Sequence, residues 1–124
     1  LSLKLLSAGD VRTLYIIAIA ICMRERSTLI FEEIENGIHQ QRIEDIINYL
    51  ESISRVRNSQ IIFTTHSEKV INRLAPQEVL YVEKDPAKGT CVIPLGGPKE
   101  QGHIEEILNK GGNLTDYLNV ALGK

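Results

Sequence analysis

The chain has 124 residues, of which 43% are hydrophobic and 24% are charged, and its formal net charge is −2. This length fits one domain or part of one, and the hydrophobic fraction is large enough to build a buried core. The nearly balanced charge excludes the strongly basic composition that marks many proteins that bind nucleic acid or anionic membranes.

The sequence has neither a membrane-spanning apolar stretch nor the layout of a secretory signal. Its longest unbroken apolar run, Leu14–Met23, is about half as long as the roughly twenty residues that a membrane span requires. The two cysteines, Cys22 and Cys91, lack the spacing of a disulfide framework or a zinc site. We therefore expect a cytoplasmic protein with no membrane partner. Because the chain begins at a leucine within an apolar pattern, we also expect it to be part of a longer protein.

Helices alternate with short apolar strands in the first half of the chain. Hydrophobic periodicity and capping residues predict helices over Gly9–Arg26 and Gln40–Ser54, and strands over Thr28–Glu32 and Ile61–Thr65. The first helix is apolar nearly all round, so we expect both of its sides to be covered. The first strand is apolar enough to be fully buried, which is typical of a parallel sheet with helices on both faces.

The second half predicts a short helix, a hairpin and two terminal helices. Turn residues and alternation place these elements at Ser67–Leu74, Val79–Lys84 paired with Thr90–Leu95, Ile104–Asn109 and Leu114–Leu122. The predicted fold class is therefore α/β, with a mainly parallel sheet core, helices packed on it and a C-terminal β-hairpin. Residues 96–124 would form a helical tail.

Three segments have the composition of a nucleotide-hydrolysing site: Leu5–Arg12, Thr28–His39 and Ile61–Ser67. In the second, an apolar run ends in two adjacent acids, Glu32 and Glu33. Adjacent carboxylates after a buried strand place one acid near a Mg²⁺ ion and the next near an attacking water, as nucleotide hydrolysis requires. Taken alone, the same residues also fit an ordinary buried strand that runs into a polar loop.

The first and third segments add groups that suit phosphate. Ser7 predicts a helix N-cap, and Gly9 lets the backbone approach a ligand closely at the positive end of the helix dipole. His66 follows the C-terminal end of a strand, which is where α/β sheets bind ligands. The alternatives are an ordinary cap and a structural histidine. The other two histidines, His39 and His103, complete no metal-ligand spacing.

Over roughly residues 5–95, the chain resembles the C-terminal part of the nucleotide-binding domain of ABC-type ATPases. The most similar branch is the non-transporter branch of chromosome-maintenance, recombination and overcoming-lysogenization-defect ATPases, which are grouped with AAA ATPases. In this family a signature segment of the form LSGGQ, followed by a basic residue, binds ATP held by a second subunit. The residues at those places are Leu6, Ser7, Ala8, Gly9, Asp10 and Arg12.

The resemblance also implies roles for the acids and for one histidine. Glu32 would hold Mg²⁺ through water, although the family usually has aspartate there, and the longer side chain makes octahedral Mg²⁺ geometry harder to reach. Glu33 would be the general base that polarises the attacking water. His66 would be the switch histidine that contacts the γ-phosphate of ATP.

The loop after the acids would cross the dimer interface in this family. The residues at those places are Glu35, Asn36, Gly37 and His39. Recombination-type relatives often have a histidine at the last position, whereas transporters have an aspartate. A helix N-cap or an exposed surface residue is the alternative for His39.

The phosphate loop G-x-x-x-x-G-K-[ST] does not occur in the sequence. We therefore expect this loop to lie upstream, in a missing N-terminal part of the same domain, and residues 1–124 to be the C-terminal portion of one ATPase domain. An ATPase domain of this kind, called a head in this family, would dimerise around ATP, most simply with a second copy of itself. DNA is a partner implied only by the resemblance, through repair, recombination or phage defence. By itself the chain should bind ATP weakly and hydrolyse almost none.

Two other functions fit parts of the sequence. A non-catalytic dimerisation or regulatory module would keep the fold, and Glu32 in place of aspartate is the one feature that favours it. An ATP-binding subunit of a transporter is less favoured, because Ile34 and His39 depart from the proline and aspartate usual there.

Overall fold

The computed structural model describes residues 6–121 and Gly123. In chain order, its α-helices and β-strands are α1 (Ala8–Cys22), β1 (Thr28–Phe31), α2 (Gln40–Arg57), β2 (Gln60–Phe63), α3 (Glu68–Arg73), β3 (Leu80–Asp85), β4 (Gly89–Pro94), α4 (Pro98–Asn109) and α5 (Leu114–Ala121). A mixture of helices and small sheets confirms the α/β class. No helix among these residues is long and apolar enough to cross a bilayer.

Three helix boundaries differ from the prediction for local reasons. Helix α1 ends at Cys22 because Met23 already has extended backbone angles, whereas the prediction ran to Arg26. Helix α2 continues to Arg57 and ends where Asn58 adopts a left-handed conformation, which asparagine tolerates better than most residues. Helix α4 begins earlier than predicted, with Pro98 in its first turn, where a missing N–H costs no hydrogen bond.

The described residues divide into two compact units, one up to Val70 and one from Ile71 onward. In the first unit, β1 and β2 pair in parallel, with Thr28 opposite Gln60 and Phe31 opposite Phe63. Helix α2 connects the two strands and packs against β2 and α1. The buried apolar side chains of these elements and of the loop after β1 include Ile16, Ala20, Phe31, Ile34, Ile43, Ile46, Ile47 and Leu50.

One face of the β1–β2 sheet is bare, which corrects two expectations. Ile30 is 67% exposed and Ile62 is 43% exposed, so β1 is not fully buried. On α1, Leu14 and Tyr15 are each 53% exposed, so this helix is not covered on both sides. Strand side chains alternate between the two faces, and within the first unit no described residue covers the face that carries Ile30.

The second unit contains the β3–β4 hairpin and the helices α4 and α5. The two strands pair in antiparallel register, from Leu80 opposite Pro94 to Asp85 opposite Gly89. Its core contains Leu95, Ile104, Leu114, Tyr117 and Leu118. The predicted tail thus includes α4 and α5, but Leu122 and Lys124 lie outside the described residues. The assignment of both units to one ATPase domain stays a prediction.

Candidate functional site

The loops that follow β1 and β2 are hydrogen-bonded to each other at the carboxyl edge of the sheet. The backbone N–H of Thr64 donates to the Phe31 carbonyl at 3.0 Å, and the Ile34 N–H donates to the Thr64 carbonyl at 3.1 Å. The Thr64 hydroxyl accepts a hydrogen bond from the Glu33 N–H at 2.9 Å. Parallel strands bring both loops to the edge where α/β sheets bind ligands. The predicted base and the predicted switch histidine therefore lie in neighbouring loops.

Glu33 has a backbone conformation that few residues with a side chain adopt. Its φ angle is 44°, in the left-handed region. The Thr64 hydroxyl holds its backbone N–H, and its Oε2 atom accepts a hydrogen bond from Asn36 Nδ2 at 3.4 Å. Residues in such conformations persist only where neighbours hold them, and they cluster at active sites. Sequence reasoning assigned no role to Thr64, and its only signal was a hydroxyl residue two positions before the histidine.

Glu32 offers an unpaired carboxylate at the same edge. Its side chain is exposed and makes no hydrogen bond or ion pair with the part of the chain that the structure describes. Over the same residues, no cluster of three or more histidine, cysteine, aspartate or glutamate side chains could hold a metal. Mg²⁺ commonly binds through one or two carboxylates together with the phosphates of a nucleotide. One exposed carboxylate is a donor set that fits a Mg²⁺ ion arriving with a nucleotide.

The N-terminus of α1 is closed by a capping box. Ser7 Oγ accepts from the Asp10 N–H at 3.2 Å and donates to Asp10 Oδ2 at 2.7 Å, and the Ser7 N–H also donates to Oδ2 at 3.0 Å. The hydrogen bond from the Ser7 hydroxyl, followed by that from Arg42, lowers the pKa of Asp10 to about 2. The predicted N-cap is confirmed. A phosphate at this helix end would have to draw the Ser7 hydroxyl away from an ionised carboxylate.

Two arginines join α1 to the rest of the site. Arg42 of α2 forms an ion pair with Asp10. Arg12 Nη2 donates to the Glu32 carbonyl at 3.0 Å, and its guanidinium carbon lies 5.9 Å from the centre of the Tyr15 ring. Arg12 thus contacts the acidic segment of its own chain. Sequence reasoning missed Arg42, since a polar residue on an amphipathic helix carries no signal of its partner.

Gly9 lies directly against the loop that contains Gly37. A Cβ atom built on Gly9 would lie 2.3 Å from the Gly37 carbonyl oxygen, closer than real Cβ contacts come. Gly37 has a φ angle of 73°, which favours glycine. The two segments border an open groove of about 700 Å³. Its lining residues are Ser7, Ala8, Gly9, Asp10, Gly37, Ile38, His39, Gln41 and Arg42.

The two candidate histidines have different local roles. His39 is the N-cap of α2, and its Nδ1 atom accepts a hydrogen bond from the Gln41 N–H at 3.5 Å. The imidazole of His66 is exposed and has no hydrogen-bond partner in the described ranges. The backbone N–H of His66 donates to Glu35 Oε1 at 2.7 Å. A place at a dimer interface for residues 35–39 stays a prediction.

A family model described as "AAA domain, putative AbiEii toxin, Type IV TA system" matches residues 1–72. No curated protein matches the chain. The matched region includes the N-terminus of α1, the acids after β1 and the histidine after β2. It ends near the boundary of the first compact unit, so the hairpin and the helices that follow it lie outside the match.

Proposed function

This chain belongs to the AAA domain family that matches residues 1–72, and from that premise we propose that it is the catalytic C-terminal part of an ABC-like ATPase head. The proposed reaction is hydrolysis of ATP to ADP and phosphate, with Mg²⁺ bound beside the nucleotide. One observation carries the proposal: three separate segments meet at the carboxyl edge of the sheet. There, Thr64 holds Glu33 in a left-handed conformation.

Each side chain at this edge has a proposed role. Glu33 polarises the water that attacks the γ-phosphorus and accepts its proton. Glu32 would hold Mg²⁺ through water, and the exposed imidazole of His66 would donate a hydrogen bond to a γ-phosphate oxygen. Bound Mg²⁺ would neutralise charge that develops on the phosphate oxygens. Catalysis of phosphoryl transfer depends mainly on positioning and electrostatic stabilisation, so the hydrogen bonds that join these loops matter.

We further propose that the bare face of the sheet receives the part of the domain that carries the phosphate loop. Ile30 and Ile62 are exposed on this face. Parallel sheets are almost always covered on both faces, and sheets of two strands are seldom stable in water. Strands of this part would pair with the edges of the β1–β2 sheet, and its helices would cover the bare face, which together would complete a mainly parallel core. We call the chain together with this phosphate-loop segment the assembled ATPase domain.

Two assembled domains would then enclose ATP between them. The phosphate loop of one copy would hold the nucleotide, and the groove at the N-terminus of α1 in the other copy would cover its γ-phosphate. The backbone N–H groups and dipole of a 15-residue helix support anion binding at that end. DNA as a partner, with repair, recombination or phage defence as the process, rests on the resemblance alone.

A non-catalytic head is the second candidate. It is favoured by the internal contacts of the signature residues: Ser7 closes the α1 cap, and Arg12 binds the Glu32 carbonyl. A head of this kind would dimerise or regulate without hydrolysing ATP.

Phosphate release distinguishes the two candidates. The 124-residue chain alone should release almost no phosphate from Mg-ATP, because the electrostatic clamp of a phosphate loop is absent from its sequence. Addition of the phosphate-loop segment, in trans or as a fusion, should give Mg²⁺-dependent release that disappears in Glu33→Gln. An assembled domain that binds ATP but never hydrolyses it would favour the non-catalytic head. Robust Mg²⁺-dependent hydrolysis by the chain alone would overturn the proposal that the site needs a phosphate loop from a separate segment.

A further inference from the structure

We infer that Glu35 is a positioning residue that holds the backbone of His66 and thereby links the loop of the general base to the loop of the switch histidine. The inference deepens the proposed function and rests on it. Its basis is one contact across 31 residues of sequence: Glu35 Oε1 accepts the His66 N–H at 2.7 Å. This is the short distance of a hydrogen bond to an ionised acceptor, and such bonds are about twice as strong as neutral ones.

The burial of Glu35 differs from that of the two acids before it. Glu32 and Glu33 are exposed, whereas Glu35 is half-buried between the two loops. Burial opposes ionisation of this carboxyl, but the hydrogen bond from the His66 N–H leads the interactions that lower its pKa below the usual value. Glu35 is therefore a carboxylate at neutral pH. A half-buried carboxylate beside a backbone N–H is suited to fixing that backbone in place.

The local order of residues explains why Glu35 points to the second loop. Ile34 is fully buried, and its backbone N–H is held by the Thr64 carbonyl. This anchors the middle of the segment Glu33–Glu35, with Glu33 exposed on one side of it. Glu35 on the other side reaches His66, two residues beyond Thr64. The two loops are thus joined both at Thr64 and at His66. Because the His66 imidazole is exposed, its orientation depends on the backbone of His66, which Glu35 holds.

Loss of this contact should affect the chemical step more than nucleotide binding. Glu35→Ala in the assembled ATPase domain should lower kcat about tenfold, as expected for loss of one charge-assisted hydrogen bond that positions a group. Glu35→Gln keeps an oxygen that can accept the His66 N–H, so it should recover part of this loss. The KM for ATP should change little in both variants. A merely structural role would instead lower thermal stability, without partial rescue of kcat by the amide.

Hydrogen exchange of the His66 amide tests the contact without relying on activity. In the 124-residue chain, nuclear magnetic resonance should show a slowly exchanging His66 amide that exchanges about tenfold faster in Glu35→Ala. Glu44→Gln, which removes an exposed carboxylate on α2, is the matched control and should leave this amide unchanged.

The outcomes separate the inference from the proposed function. An unchanged exchange rate of the His66 amide in Glu35→Ala would overturn the contact, even if the assembled domain is active. A faster amide combined with an unchanged kcat would overturn its positioning role. A wild-type assembled domain without ATPase activity would overturn the proposed function, and the positioning role would fall with it.

Discussion

Replacement of Glu33 by glutamine should lower ATP turnover by the assembled ATPase domain about 10²–10⁴-fold, the range that a general base contributes. The glutamine side chain has nearly the same shape as that of glutamate, so the left-handed backbone at position 33 and its hydrogen bond to Thr64 should persist. ATP affinity should therefore stay close to that of the wild type. Steady-state phosphate release, measured beside a nucleotide-binding titration, gives both quantities.

Glu44→Gln is the control for this substitution, because it removes the same charge from an exposed position on α2 outside the candidate site. Its turnover should equal that of the wild type. Turnover of Glu33→Gln at the wild-type rate would contradict the assignment of Glu33 as the base. An equal loss of turnover in both variants would point to an effect of net charge.

Replacement of Ser7 by arginine should abolish ATP-dependent dimerisation. Ser7 lines the groove at the N-terminus of α1, and an arginine there would fill the proposed phosphate site and oppose the helix dipole. The experiment uses the Glu33→Gln background, where ATP is bound but not consumed, and measures molar mass by size-exclusion chromatography with light scattering. The expected result is a dimer with ATP for Glu33→Gln and a monomer for the double variant.

Loss of the cap alone should cost about 0.5–2 kcal/mol of stability, so circular dichroism must show that the double variant is folded. Ser52→Arg on the same background is the matched control, since Ser52 is an exposed residue of α2 outside the groove. This control should still dimerise with ATP. If a folded Ser7→Arg variant dimerises as well as the control, Ser7 and the N-terminus of α1 form an ordinary helix cap and not an ATP-binding segment.

The parts of the site that depend on local sequence were predictable. The cap at Ser7 needs only a hydroxyl residue before a helix and an acid three positions later, and both are visible in the sequence. The parallel pairing of β1 and β2 follows from two apolar strands joined by one helix. These features predict that Glu33 and His66 lie at one edge of a sheet.

The contacts between segments were not predictable, because they depend on the register of the two strands. Thr64 reaches Glu33, and Glu35 reaches His66, only because Phe31 pairs with Phe63 and the following loops run side by side. A shift of the register by one residue would exchange which residues face each other. Sequence spacing alone holds no information about that register.

The burial of α1 and β1 was predicted wrongly for a related reason. Apolar composition indicates that a surface tends to be covered, but not which residues cover it. Ile30 on β1 and Leu14 on α1 are large apolar residues of the kind found in cores, and yet their side chains are exposed within the described structure. Their exposure is what the proposed addition of a phosphate-loop segment explains.

In the proposed function, ATP is hydrolysed between two copies, with Glu33 from one and the α1 N-terminus from the other. Mixing the Glu33→Gln and Ser7→Arg variants of the assembled ATPase domain tests it most directly. Each variant alone should be inactive. In a two-fold heterodimer, one of the two sites combines the intact Glu33 of one copy with the intact Ser7 of its partner, so each heterodimer should release phosphate at up to about half the rate of a wild-type dimer. No recovery from a mixture shown to form heterodimers would contradict the shared site.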